Sequence, residues 1–285
     1  MKILISANAA WNLVNYRAGL LQHLVRAGHE VVAAAPRDGS VAALQALGVR
    51  FIGFPMVGRG TVPEEEWALY RRYRRLLVAE RPRAYLGFTI KPNVWGAFAA
   101  RRAGVAPLLT VTGLGTVFGR KTPVNLAART LYAGALSLAK TVFFQNASDA
   151  ARLSRVTGRR AEVLPGSGVD LTHFAPPTRA SSGRHFLFLG RLLRQKGVFE
   201  FVEAATAVRA RYPDARFTLL GAPSADVGPP MLEAFGAAGV DYGCALADVR
   251  PAIAAADCLV LPSAYGEGTP HSLLEGAAMG RALIA

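Results

Sequence analysis

Short aliphatic or β-branched runs recur along this chain with amphipathic helical patterns between them, and few architectures accept that rhythm. The first six runs are Ile3–Ala7, Val31–Ala35, Arg50–Phe54, Ala84–Thr89, Leu108–Thr112 and Thr141–Gln145. Composition then changes at Asp170 to Arg184, "DLTHFAPPTRASSGR", which is rich in Pro, Ser and Thr. The rhythm restarts with strands expected near His185–Leu189, Arg216–Leu220, Val240–Tyr242, Cys258–Leu261 and Ala282–Ala285. Helices are expected near Val198–Ala210, Pro230–Ala238, Val249–Ala255 and Pro270–Met279. The chain is therefore expected to be an α/β protein with two Rossmann-like, doubly wound domains facing a shared cleft. Residues 1–169 form the first domain, 170–184 a linker, and 185–285 the second.

With 285 residues, 52% of them hydrophobic and 18% charged, the chain can bury one large or two ordinary cores. Cys244 and Cys258 have no zinc-ligand company and are too few for a disulfide framework, so both are expected to be small core residues in a reducing compartment. The start, "MKILISANAAWN", lacks the pattern of a secretion signal. The longest nearly apolar run, Val105 to Phe118, falls short of the ~20 residues that a spanning helix needs. A cytoplasmic protein is expected. Its formal net charge of +14 is uneven: residues 1–145 hold 19 Lys/Arg against 6 Asp/Glu, whereas residues 146–285 hold 14 against 13. Glu64 to Arg83 reads as a basic amphipathic helix, with Arg71, Arg72, Arg74 and Arg75 accompanying Trp67, Tyr70, Tyr73, Leu76 and Leu77. Such a face is either simply solvated or drawn to anionic lipid. No module supports nucleic-acid binding.

Ligands of doubly wound sheets sit beyond the carboxyl ends of the strands, so the loops there carry the chemistry. The loop after the first strand, "NAAWNLVNYRAG", lacks the G-x-G-x-x-G of a dinucleotide site. Its polar groups are Asn8, Asn12, Asn15 and Arg17, with Asn12 or a neighbour able to cap a helix as readily as to touch a ligand. The loop "LGRLLRQKG" sets Arg191 and Lys196 beside Gly190. Two cations there are either solvated or suited to a diphosphate, Arg by its fork and Lys as a point charge. The third loop, "GEGTPHSLLE", reads as a strand end followed by Thr269 as N-cap and Pro270 as first helical residue, so that a helix N-terminus faces an anion. Glu275 then lies on the order of 7.5 Å along that helix while Glu267 stays in the loop. A retaining glycosidase would need its carboxyl groups about 5–5.5 Å apart. Acids at two depths suit two hydroxyl-bearing parts of one ligand. His271 is expected to face solvent.

Taken together, "GEGTPHSLLEGAAMG", "FLFLGRLLRQKGVFEFVEAA" and "GSGVDLTHF" resemble the family 4 retaining glycosyltransferases of the GT-B fold. The family's acid, seven residues and second acid are matched by Glu267 and Glu275, and its Gly-Arg followed by Lys-Gly by Gly190-Arg191 and Lys196-Gly197. "VTGLGTVF" and "VFFQN" resemble the branch that extends lipid-diphosphate-linked sugars for capsule, O-antigen or protein glycans. The resemblance implies that Arg191 and Lys196 hold the donor diphosphate. It further implies that Glu267, with Gly268, Thr269 and Pro270, holds the donor sugar and that Glu275 binds the ribose. It implies a UDP-sugar donor, a polyprenyl-diphosphate saccharide acceptor, no metal or other cofactor, and peripheral residence on the inner face of the plasma membrane. The histidine that many members place after the fourth or fifth strand is missing from "GFTIKPN" and "TVTGLGT". Asn15, Arg17, Lys91, Thr112 and Gly113 are the acceptor-side candidates. Relative to the family the chain is expected to be cut short after Gly280, with little or no transferase activity. A GT-B UDP-sugar 2-epimerase and a non-catalytic nucleotide-sugar binder are the alternatives.

Overall fold

The computed structural model of the chain describes residues 1–57, 62–113, 122–157, 161–178, 183–264 and 268–285. Its backbone divides into two compact units, Met1–Ser167 and Gly168–Ala285, so the segment expected as a linker groups with the second.

The first unit runs β1 (Lys2–Ser6), α1 (Ala10–Arg26), β2 (Glu30–Ala35), α2 (Val41–Ala46), β3 (Arg50–Gly53), α3 (Pro63–Glu80), β4 (Ala84–Phe88), a π-helical turn (Pro92–Gly96), α4 (Ala97–Arg102), β5 (Ala106–Val111), α5 (Pro123–Leu138), β6 (Thr141–Phe144), α6 (Ala147–Thr157) and β7 (Ala161–Val163). Its sheet has the order β3-β2-β1-β4-β5-β6-β7, with every pairing parallel. Strands buried on both faces explain the unbroken aliphatic runs. Alternate residues feed two cores: Leu4 and Val32 meet Leu69, Tyr73 and Leu77 of α3, while Ile5 and Val31 meet Leu13 and Leu21 of α1.

The second unit runs β8 (His185–Leu189), a 3₁₀ turn (Arg194–Lys196), α7 (Val198–Arg211), β9 (Arg216–Leu220), α8 (Pro229–Ala237), β10 (Val240–Gly243), α9 (Arg250–Ala255), β11 (Cys258–Val260), α10 (His271–Ala278) and β12 (Ala282–Ile284). Its sheet, β10-β9-β8-β11-β12, is also parallel throughout. Strand order reverses between β1 and β4 in one unit and between β8 and β11 in the other. Those are the topological switch points, where a doubly wound sheet opens a crevice at its carboxyl edge.

Two expectations change. Cys258 is buried, but Cys244 is exposed beyond the end of β10. Strand β7 was not foreseen, being three half-buried or exposed residues at a sheet edge. The amino-terminal region of the first unit is tied by charge: Arg50 makes a two-pronged bond to Glu80, which Lys2 also reaches at 3.3 Å. The Arg50 guanidinium, with Lys2 in support, holds the Glu80 carboxyl below its usual range. A depressed folded-state pKa contributes stability that is full above the ordinary carboxylate range and drains as pH falls through the lowered value. Urea unfolding of Glu80→Gln should therefore differ less between pH 7 and pH 3 than that of the wild type.

Candidate functional site

The site is built at the carboxyl edge of β8, the central strand of the second sheet. Gly190 leaves the strand with its N–H bonded to Leu220 O (3.0 Å), and Leu192 N–H continues to Ala222 O (2.9 Å), so the loop runs on beside the end of β9. The two backbones touch: a Cβ on Gly221, at φ +153°, would stand 1.8 Å from Gly190 O. The 3₁₀ turn then folds Lys196 back over the strand end, its Nζ lying 3.9 Å from where a Gly190 Cβ would be. A side chain on residue 190 would thus stand in the space that the ammonium overlooks. Arg191 is exposed and Lys196 half-buried.

Gly197 reverses the chain at φ +79°, and its Cα faces Pro262 O so closely that a Cβ would lie 2.0 Å from it. Ala264 N–H donates to Gln195 O at 3.0 Å. The loops after β8 and β11 are therefore stitched together across the switch point, which brings the cations and the start of α10 to one edge. Only glycine tolerates both the left-handed φ and this approach.

Helix α10 starts at His271 with Pro270 as its N-cap, ψ 117°, one residue later than the Thr-Pro pattern suggests. Proline fixes φ but leaves ψ extended here, so it precedes the helix instead of opening it. His271 does not face solvent. Its Nδ1 lies 2.8 Å from Glu275 Oε1 one turn on, with 14% and 13% of the two side chains exposed. One residue on, a Cβ at Gly276 would stand 2.8 Å from a methyl of Leu259 in β11, so the helix lies close against that strand. The imidazole holds one oxygen of the Glu275 carboxylate and so orients the group. Gly268 and Thr269 are half-buried, and Glu267 lies outside the described residues.

In the first unit the acceptor-side candidates separate. Asn15 is exposed and bonds back to Trp11 O of its own helix (2.9 Å), which leaves it a surface residue. Lys91 is ion-paired with Glu66, itself bonded to the Trp95 indole, so its charge is already answered. Thr112 and Gly113 follow β5 and are half-buried. Arg17 is buried, 7% exposed, and donates to Ser167 Oγ at 2.8 Å. Asn12 does not cap α1. Ala9 holds the cap position, and one N–H of the first turn, that of Trp11, is satisfied by Asp38 Oδ2, which accepts at 2.9 Å. Sequence reasoning missed Thr89, a non-glycine residue at φ +69° directly beyond β4.

Comparison with known proteins agrees with this layout. Residues 13–167 match the glycosyl transferase 4-like domain and residues 183–285 the glycosyl transferases group 1 family. The chain is 25% identical over 304 aligned positions to the N,N'-diacetylbacillosaminyl-diphospho-undecaprenol alpha-1,3-N-acetylgalactosaminyltransferase of Campylobacter jejuni, covering all of this chain and 80% of that one. Over 144 positions it is 35% identical to the D-inositol 3-phosphate glycosyltransferase of an Arthrobacter species, covering 44% of this chain and 33% of that protein. Anabaena HepE (Alr3699), solved with UDP and glucose, superposes with a TM-score of 0.77 at 15% identity, over all of this chain and 80% of its own. With a basic loop and a helix start at the second switch point, and with both units matched by these models, the chain belongs to the glycosyl transferase 4-like glycosyltransferases of the GT-B fold.

Proposed function

We propose that the protein transfers a sugar, with retention, from a UDP-sugar to a polyprenyl-diphosphate-linked saccharide, without a metal, in the assembly of a surface polysaccharide or glycan. The observation that carries this reading is the stitching of the β8 and β11 loops, which gathers Arg191, Lys196 and the N-terminus of α10 at one strand edge. Arg191 and Lys196 hold the donor diphosphate and meet the charge that grows on the leaving phosphate, while Gly190 admits the ligand to the backbone. Glu267, with Gly268, Thr269 and Pro270, holds the donor sugar. Glu275, oriented by His271, accepts from the ribose hydroxyls. The acceptor attacks on the face from which the nucleotide leaves, and the departing phosphate helps remove its proton. The acceptor class is supported by the name of the Campylobacter relative, whose substrate is a diphospho-undecaprenol sugar.

Work on such an acceptor belongs at the cytoplasmic face of the membrane, and the first unit carries a surface suited to it. Trp67 and Tyr70 of α3, Trp95, and Phe98, Arg101 and Arg102 of α4 line a groove of about 580 Å³. Arg71, Arg74 and Arg75 are exposed on α3, whereas Arg72 is spent on Pro55 O. No helix among the described residues is long and apolar enough to cross a membrane. Aromatic rings at headgroup depth with arginines beside them are the chemistry of interfacial binding. Anionic vesicles should bind the protein at low salt and release it as salt rises, the screening length being about 10 Å at 0.1 M. Changing Arg71, Arg74 and Arg75 to Gln should remove most of that binding in a sedimentation assay. Equal sedimentation with neutral vesicles would count against it.

The deciding experiment incubates the protein with a panel of nucleotide sugars and a polyprenyl-diphosphate-linked saccharide, reading UDP release and product mass. Acceptor-dependent UDP release with a product heavier by one sugar is expected. Conversion of the donor without acceptor would indicate an epimerase, and UDP binding with no release from any donor a non-catalytic binder.

A further inference from the structure

Arg17 is an anomaly of the first unit. Side chains on a helix slant toward its N-terminus, so from the second turn of α1 the guanidinium reaches back toward the carboxyl edge of the sheet. There it lies 4.5 Å over the ring of Phe88, the last residue of β4, and donates to Ser167, beyond β7. The Ser167 oxygen also accepts from Gln145, just past β6, at 3.0 Å. Among the described residues, the groups that hold Arg17 are neutral. No carboxylate among the described residues pairs with it, and its Nε is buried without a partner. Desolvation by burial pushes its pKa down to about 10, the direction in which burial disfavours the charged form.

A buried cation with no counter-charge is costly, and proteins keep such groups where a ligand supplies the missing charge. Two further buried groups at this edge lack partners among the described residues: Thr89 Oγ1, on a backbone strained to φ +69°, and Asn12 Oδ1 in the first turn of α1. Strain held in place by its surroundings collects at ligand sites. Ser6 of β1 pairs in register with Gly87 of β4, so Thr89 and the start of α1 both lie at the β1/β4 switch point. A guanidinium donates in a planar fork that fits an oxyanion, and a threonine hydroxyl at the same sheet edge, one residue on from Phe88, offers a further donor.

We infer that Arg17, with Thr89, forms an oxyanion site in the first unit that takes a phosphoryl group, and that this group belongs to the diphosphate of the acceptor. The source of the phosphoryl group rests on the function proposed above, while the site itself rests on the geometry of Arg17. Phosphoryl is preferred to carboxylate because both substrates of the proposed reaction carry diphosphates.

The test starts from the full chain carrying Arg191→Ala and Lys196→Ala, which removes the cations of the second unit, and titrates it calorimetrically with inorganic pyrophosphate. Saturable binding is expected to remain, to weaken at least tenfold when Arg17→Met is added, and to be partly restored by Arg17→Lys. Without ligand, Arg17→Met should melt at or above the parent temperature, because it removes an unpaired buried charge. Undiminished pyrophosphate binding in the Met variant, or no binding in its parent, overturns the site. A lower melting temperature with unchanged affinity would make Arg17 a strut for Ser167 and overturns it too. In the otherwise wild-type enzyme, Arg17→Met should raise KM for the lipid-diphosphate acceptor and leave KM for the UDP-sugar unchanged. The reverse pattern overturns the acceptor assignment. If no lipid-diphosphate serves as acceptor, the proposed function fails while the pyrophosphate result still decides the site.

Discussion

In a chain competent for catalysis, Lys196→Ala is expected to lower kcat/KM by roughly 10²–10³-fold, the loss that follows removal of one electrostatic stabiliser of a transition state, while Tm stays nearly constant. The half-buried side chain folds over Gly190 at the strand edge, and Phe188 of β8 and Val198 and Phe201 of α7 belong to the hydrophobic cluster of the unit, so that its deletion should leave their packing in place. On the function proposed above, what it removes is a positive charge above the place where negative charge grows as the nucleotide departs. Such an interaction is stronger in the transition state than with bound donor, so kcat should fall more than KM rises. Arg191 is exposed and works in water's high dielectric, so Arg191→Ala should cost less. Steady-state UDP release checks both. Wild-type turnover in the Lys196 variant would remove the residue from the mechanism.

The elements of this fold were legible because a parallel sheet covered on both faces writes each strand as an aliphatic run. β1 to β6 and β8 to β12 start and end within about two residues of the sequence reading, the usual uncertainty of element ends. Strand β7 escaped because three residues at an edge, mostly exposed, leave no pattern. The placement of the candidate residues was legible where local spacing carries it. Gly190, Arg191, Lys196 and Gly197 occupy one loop, whereas the i, i+4 bond between His271 and Glu275 was not read from the sequence, which placed His271 toward solvent. Long-range partners leave no such trace. Lys91 looks like a cation in a loop until Glu66 is found beside it, and Arg17 looks like a helix-surface residue until Ser167, 150 residues on, accepts its hydrogen bond. Asp38 caps a helix that starts 28 positions earlier, which no local capping pattern describes. Thr89 at φ +69° is a conformation its residue type argues against.

The stitched loops make a second substitution severe. Gly197→Ala meets two obstacles at once: a left-handed φ of +79°, which costs a non-glycine residue about 1–2 kcal/mol, and a new methyl 2.0 Å from Pro262 O and 2.6 Å from its carbonyl carbon. Neither contact is with a flexible side chain, so the β8 and β11 loops have to part. Separation breaks the bond from Ala264 N–H to Gln195 O. It also shifts Lys196 relative to the segment leading to α10. UDP affinity should therefore fall at least tenfold, and unfolding should begin in the second unit at lower temperature. Gly183→Ala is the matched control. Gly183 has nearly the same φ, +72°, but its Cβ would meet nothing within 4 Å, and it precedes β8 at the opposite edge of the sheet. It should incur the conformational cost alone, lowering Tm slightly and leaving UDP binding intact. Calorimetric titration with UDP separates the two cases: equal affinity in both glycine variants would mean that the approach of Gly197 to Pro262 does not shape the donor site.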